Sequence, residues 1–120
     1  MRVAGTMKEA TKIGEMPLAV KCRLNKLVLM ENSDIKNEKP IYKQVLFNEI
    51  GTGSVEIMYL APGAQVYRHQ HTTNMEIYIS WNQKKHCLKF ETCKKGESHQ
   101  LENTSKRRWA WVISIKIDRS

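Results

Sequence analysis

A chain of 120 residues with 41% apolar content is sized for a single globular core, and the lack of any apolar run of about 18 residues excludes a transmembrane helix. Twenty Lys and Arg against 12 Asp and Glu leave a net charge of +8, which raises nucleic acid and acidic small molecules as partners. The basic residues are scattered, apart from Lys94 with Lys95 and the run Lys106, Arg107 and Arg108, and no nucleic-acid-binding motif accompanies them. Solvated strand ends and loops account for this charge, so no nucleic-acid or membrane partner is expected, and a preference for acidic ligands stays open.

The first stretch, Met1 to Val20, has no clean hydrophobic period and contains Gly5, Gly14 and Pro17. It reads as an arm with little regular structure, apart from a short helix at Lys8 to Lys12. Its charge and the missing apolar h-region argue against a secretory signal, and a cytoplasmic location is expected. Leu24 to Met30 is apolar enough for a strand, and Glu31 to Pro40 is a polar, turn-rich loop, the segment most suited to local disorder.

From Tyr42 onward short strands alternate with turn signals at close intervals, the pattern of a sandwich or barrel. Lys43 to Ile50 is a strand, Gly51 to Gly53 a turn, and Ser54 to Leu60 a second strand with Val55, Ile57 and Tyr59 on one face. Ala61 to Gly63 turns the chain, Asn82 to Lys85 turns it again, His86 to Glu91 is a strand and Lys94 to Glu97 a turn. Trp109 to Asp118 alternates without a break, so Trp109, Trp111, Ile113, Ile115 and Ile117 share one strongly apolar face. The fold class is therefore all-β, with residues 1–41 forming an arm and edge strand that pack on a β-barrel domain of residues 42–120.

Cys22, Cys87 and Cys93 are odd in number and lack C-x-x-C spacing, as expected of reduced thiols. Cys87, Cys93 and His86 form an alternative zinc set, disfavoured because the five-residue gap is not zinc-finger spacing.

The chemistry concentrates between Gly63 and Ser80, read as two short strands joined by a turn at Thr72, Thr73 and Asn74. Side chains two apart on a strand share a face, so His69 and His71 point the same way, and a hairpin would set Glu76 opposite them. Two imidazoles and a carboxylate form a facial triad, the ligand set of non-haem iron that Mn, Ni or Zn also accept.

A second cluster follows at Gly96 to Asn103. The combined pattern, Gly63-x5-His69-x-His71-x4-Glu76 and then Gly96-x2-His99-x3-Asn103, resembles the paired motifs of the cupins. The resemblance covers about Lys43 to Asp118 and implies a double-stranded β-helix, the cupin-like jelly-roll barrel. It also implies that His69, His71, Glu76 and His99 hold one divalent transition metal ion, Mn, Fe, Ni or Zn. The chain departs from the family pattern at Asn82 and Gln83, where a glycine is usual and where Asn suits a left-handed turn, and at Leu88 and Lys94 in the second motif.

His86 is left as a solvated strand-edge residue. Asn103 either supports a ligand histidine or locks a turn, with the turn lock favoured. By strand phase Gln65 and Tyr67 line the pocket beside His69 and His71, Tyr78 lies beside Glu76, and Met58, Leu60, Trp109 and Trp111 supply candidates to close the barrel.

Three function classes follow from these residues. The first is a small metal-binding cupin that binds or transforms a small organic molecule or sugar, as an oxygenase or an isomerase or epimerase. The second is a noncatalytic metal or small-ligand binding module. The third, least favoured, is a nucleic-acid or protein-binding domain. A homodimer is expected, pairing through Leu24 to Met30 or the N-terminal arm, because a single jelly roll leaves sheet edges open.

Overall fold

The computed structural model describes residues 1–5, 28–29, 39–70 and 74–118, with the side chains of 28–29 and 67–70 outside that description. The expected helix at Lys8 to Lys12, Cys22, His71 and most of the Glu31 to Pro40 loop lie outside the described residues. Among the described residues nine strands run in chain order: β1 (Arg2–Val3), β2 (Val28–Leu29), β3 (Ile41–Glu49), β4 (Gly53–Leu60), β5 (Gln65–Gln70), β6 (Asn74–Asn82), β7 (Cys87–Cys93), β8 (Ser98–Asn103) and β9 (Ala110–Asp118). The all-β architecture expected from alternation is present, and most strand limits fall within two residues of their predicted positions.

The strands form two sheets, ordered β1-β8-β5 and β2-β3-β4-β9-β6-β7. All pairs are antiparallel except β1 with β8, where Arg2 and Val3 run alongside Glu102 and Asn103. Gly63 and Gly96 adopt φ of 76° and 79° in the turns that launch β5 and β8, conformations that a Cβ would disfavour. Ile41, Met58, Leu60, Ala61, Ala64, Leu101, Trp109, Ala110 and Val112 form the buried core.

Three sequence expectations are corrected here. First, β5 and β6 do not form a hairpin: β5 pairs with β8 in the smaller sheet, whereas β6 lies between β9 and β7 in the larger one. Second, the strongly apolar face of β9 is not the buried one. Ala110, Val112 and Ser114 are buried, while Trp111, Ile113, Ile115 and Ile117 are only half-buried on the outer face. Strand β6 likewise turns its more polar face inward, with Glu76 and Tyr78 inside as expected, Ser80 beside them and Met75, Ile77, Ile79 and Trp81 outside. Alternation fixes which residues share a face but not which face turns inward. Third, the left-handed residue of the β6–β7 turn is His86, at φ 51°, and not Asn82. Asn82 instead accepts hydrogen bonds through Oδ1 from the backbone N–H groups of Lys84 and Lys85, both at 3.1 Å. It serves the turn as a side-chain acceptor and stays in the strand.

Asn103 acts as the expected turn lock. Its amide Nδ2 donates to the carbonyls of Leu60, Ala61 and Arg108 at 3.1, 3.1 and 2.8 Å, and its Oδ1 accepts from Ser105 N at 3.0 Å. One fully buried side chain thus ties the end of β8 to the β4–β5 turn and to the loop entering β9.

Candidate metal centre

The interior face of β6 brings a carboxylate into the space between the sheets, and β8 brings an imidazole from the opposite side. Glu76 Oε1 and His99 Nε2 lie 3.4 Å apart with side-chain exposures of only 3% and 6%. Two motifs separated by a strand and two turns in sequence therefore converge in the interior.

Their surroundings fix the orientation of both groups. His99 Nδ1 lies 3.3 Å from the Glu97 carbonyl, an atom that can only accept, so Nδ1 carries the proton and donates it. A neutral His99 then presents the Nε2 lone pair to a carboxylate oxygen. Two acceptors at that distance in a buried site call for a proton or a cation between them. On the other side, Ser114 Oγ donates to Glu76 Oε2 at 3.3 Å. The Tyr78 ring meets the His99 imidazole edge-on at a centroid distance of 5.6 Å. Burial above all, and then a hydrogen bond to Glu76 and its charge, push the Tyr78 phenol well above its ordinary value, so its hydroxyl remains a donor.

His69 pairs with His99 across the β5–β8 ladder, which sets its backbone directly opposite the described histidine. The side chains of His69 and Tyr67 and the whole of His71 are outside the described residues. Among the described residues no group of three metal-ligating side chains forms, and Glu76 with His99 is the described half of the expected set.

Two of the pocket expectations change. Between Val66 and His69 the β5–β8 register slips by one residue, and Gln65 pairs with Glu102 while Val66 pairs with Leu101. This bulge reverses the parity of β5. Val66 shares the interior face with Leu101 and His99, and Gln65 falls on the other face. Trp111 also lies on the outer face, whereas Trp109, Met58 and Leu60 are buried as expected.

Sequence reasoning missed Ser114 and Cys93. Ser114 belongs to the inner face of β9 and lies opposite Tyr78, and Cys93 is the direct cross-strand partner of Glu76. Cys93 is buried, and burial first, followed by the carboxylates of Glu97, Glu76 and Glu91, raises its thiol pKa. The alternative zinc set is contradicted: His86 and Cys87 are exposed at the start of β7 and Cys93 is buried at its far end, about 20 Å away along an extended strand.

The architecture defines a class: the chain has the cupin jelly-roll fold. A protein from Thermotoga maritima described as a predicted oxalate decarboxylase superimposes with a TM-score of 0.56 at 22% identity, over 67% of this chain and 82% of that one. KdgF from a Halomonas species gives 0.53 at 12% identity, over 67% and 80%. A cupin-2 domain protein from Rhodospirillum rubrum gives 0.50 at 13% identity, over 78% and 70%. No protein-family model matches the sequence, and no curated protein matches it at a significant level.

Proposed function

We propose that this chain is a metal-binding small cupin in which His69, His71, Glu76 and His99 hold one divalent transition ion and present it to a small organic molecule or sugar. The observation that supports this reading is the buried approach of Glu76 Oε1 to His99 Nε2 at 3.4 Å, with Nδ1 of the imidazole occupied by a carbonyl. Imidazole nitrogen and carboxylate oxygen suit Mn, Fe, Ni or Zn. A divalent ion bound there would supply Lewis acidity toward hydroxyl, carbonyl or carboxylate oxygens of a ligand.

The chain's own residues prepare that role. Tyr78 and Ser114 hydroxyls hold the Glu76 carboxylate, and the Glu97 carbonyl sets the His99 ring, the kind of outer support that orients metal ligands. The same site serves a noncatalytic binding module equally well, and turnover of a ligand separates the two. As partners we propose a small molecule and a second copy of this chain, in the cytoplasm. Leu88 and Phe90, exposed by 48% and 62% on the edge strand β7, support the second copy.

Thermal unfolding tests the proposal. A chelator should lower the Tm and a first-row divalent ion should restore it, because binding to the native state alone stabilises by mass action. A Tm that ignores both treatments would overturn it.

A further inference from the structure

The cations that look scattered in the sequence converge at the end of the barrel remote from Glu76 and His99. One cavity of about 310 Å³ has Arg2, Ser80, Gln83, Lys84, Lys89 and Thr104 in its lining. A second, of about 390 Å³, shares Ala4, Gln83 and Thr104 with it and adds Gly5, Ser105 and Lys106 to Arg108. Among the described residues neither is lined by an acidic side chain. Ser80 lies four residues beyond Glu76 on β6, about 13 Å along the strand, so this region is separate from the candidate metal centre.

Ser80 is the informative residue. It is only 2% exposed, and its hydroxyl has no hydrogen-bond partner among the described residues. A buried hydroxyl left in this way is costly unless something else satisfies it. Its cross-strand partner is Lys89, which therefore shares the inner face of the sheet edge, half-buried. Lys89 and Lys84 make no ion pair among the described residues, and Arg2 meets Glu102 only at 3.7 Å.

The outer wall is held in place. Ser105 Oγ accepts from the backbone N–H groups of Arg107 and Arg108 at 3.3 and 3.0 Å. Gln83 Nε2 donates to the Gly5 carbonyl at 2.6 Å. Gly5 also lets Arg108 approach so closely that a Cβ there would collide with the Cβ and the backbone carbonyl group of Arg108. A braced loop that presents cations around a cavity is pre-organised for an anion, because little ordering remains to be done on binding.

We propose that this end of the barrel is a second binding site, for a small oxyanion, either inorganic phosphate or the carboxylate of an organic acid. Ser80 donates its hydroxyl, Lys89 and Lys84 supply charge at the inner cavity, and Arg107 and Arg108 close it from the outer one. Hydrogen bonds from cations to oxyanions are the strong ones, and the guanidinium fork suits either ligand.

The test is titration of the full chain with inorganic phosphate and with succinate at constant ionic strength, followed by amide chemical shifts. Saturable shifts centred on Ser80, Gln83, Lys89 and 104–108 are expected with at least one of the two, and the stronger ligand identifies the source. Lys89→Met should weaken that binding roughly tenfold or more, the exposed Lys84→Met by less, and Ser80→Ala should also weaken it. Metal content measured on the same samples should be unchanged, which keeps failure here distinct from failure at Glu76 and His99. The proposal is overturned if neither anion gives saturable shifts, or if the three variants bind as the parent does. It is also overturned if only an oligonucleotide binds, in a manner lost as salt rises.

Discussion

Glu76 and His99 meet in the interior although they belong to different sheets, with Oε1 and Nε2 at 3.4 Å. The contact depends on the packing of one sheet over the other, with Glu76 on the inner face of β6 and His99 on the inner face of β8. Ser114, from a third strand, completes the support by donating to the far oxygen of Glu76. Ser114→Ala should therefore leave the fold intact and weaken metal binding by roughly tenfold, as losses of outer support do. Competition with a metal-sensitive dye measures it, and unchanged affinity would remove Ser114 from the site.

Asn103 ties three segments of the fold together. Its amide serves three carbonyls and its oxygen one backbone N–H, with no exposure to solvent. Asn103→Ala leaves those buried acceptors unsatisfied and should cost about 2–4 kcal/mol. Urea unfolding monitored by tryptophan fluorescence reads this as a lowered midpoint, and a change below about 0.5 kcal/mol would contradict the assignment.

Alkaline stability follows from Tyr78. Its folded-state pKa is raised above the ordinary value of 10.0, so from about pH 10 upward the unfolded chain releases a proton that the native state keeps. The unfolded state then binds fewer protons, and stability falls as pH rises. Below pH 10 the contribution is fully present. Tyr78→Phe should flatten the decline above pH 10, and a slope equal to that of the parent chain would contradict it.

Assembly is testable through the outer face of the larger sheet. Light scattering should give twice the 14.0 kDa of one chain, and Phe90→Glu, at a position already 62% exposed, should shift the mass toward the monomer without lowering secondary structure. A monomer at micromolar concentration would exclude the dimer.

The strands were legible because alternation and turn residues are local signals. Gly63, Gly96 and the turn-locking role of Asn103 were legible for the same reason. The inner face of β6 was legible through the motif glutamate, which placed Tyr78 beside Glu76, but that of β9 was not, because its interior residues Ala110, Val112 and Ser114 are smaller or more polar than the outer Trp111, Ile113 and Ile115. A rule that sends large apolar residues inward inverts a strand whose inner residues are small or polar. The exclusion of Gln65 from the interior was equally hidden, because a bulge between Val66 and His69 shows only in the register. The β5–β6 crossing between sheets looks in sequence like an ordinary short hairpin connection. The convergence of Arg2, Lys89 and Arg108 at one end of the barrel depends on pairings distant in sequence, so the charge looked scattered.

The most direct measurement of the central claim is elemental analysis of the purified chain beside its His99→Ala, Glu76→Gln and His86→Ala variants. We predict about one first-row divalent ion per chain for the parent and for His86→Ala, whose histidine is exposed in a turn, and a severe loss in the other two. A parent chain that holds no metal as purified and takes up none on titration, or a His86→Ala variant that loses as much metal as His99→Ala, would contradict the account.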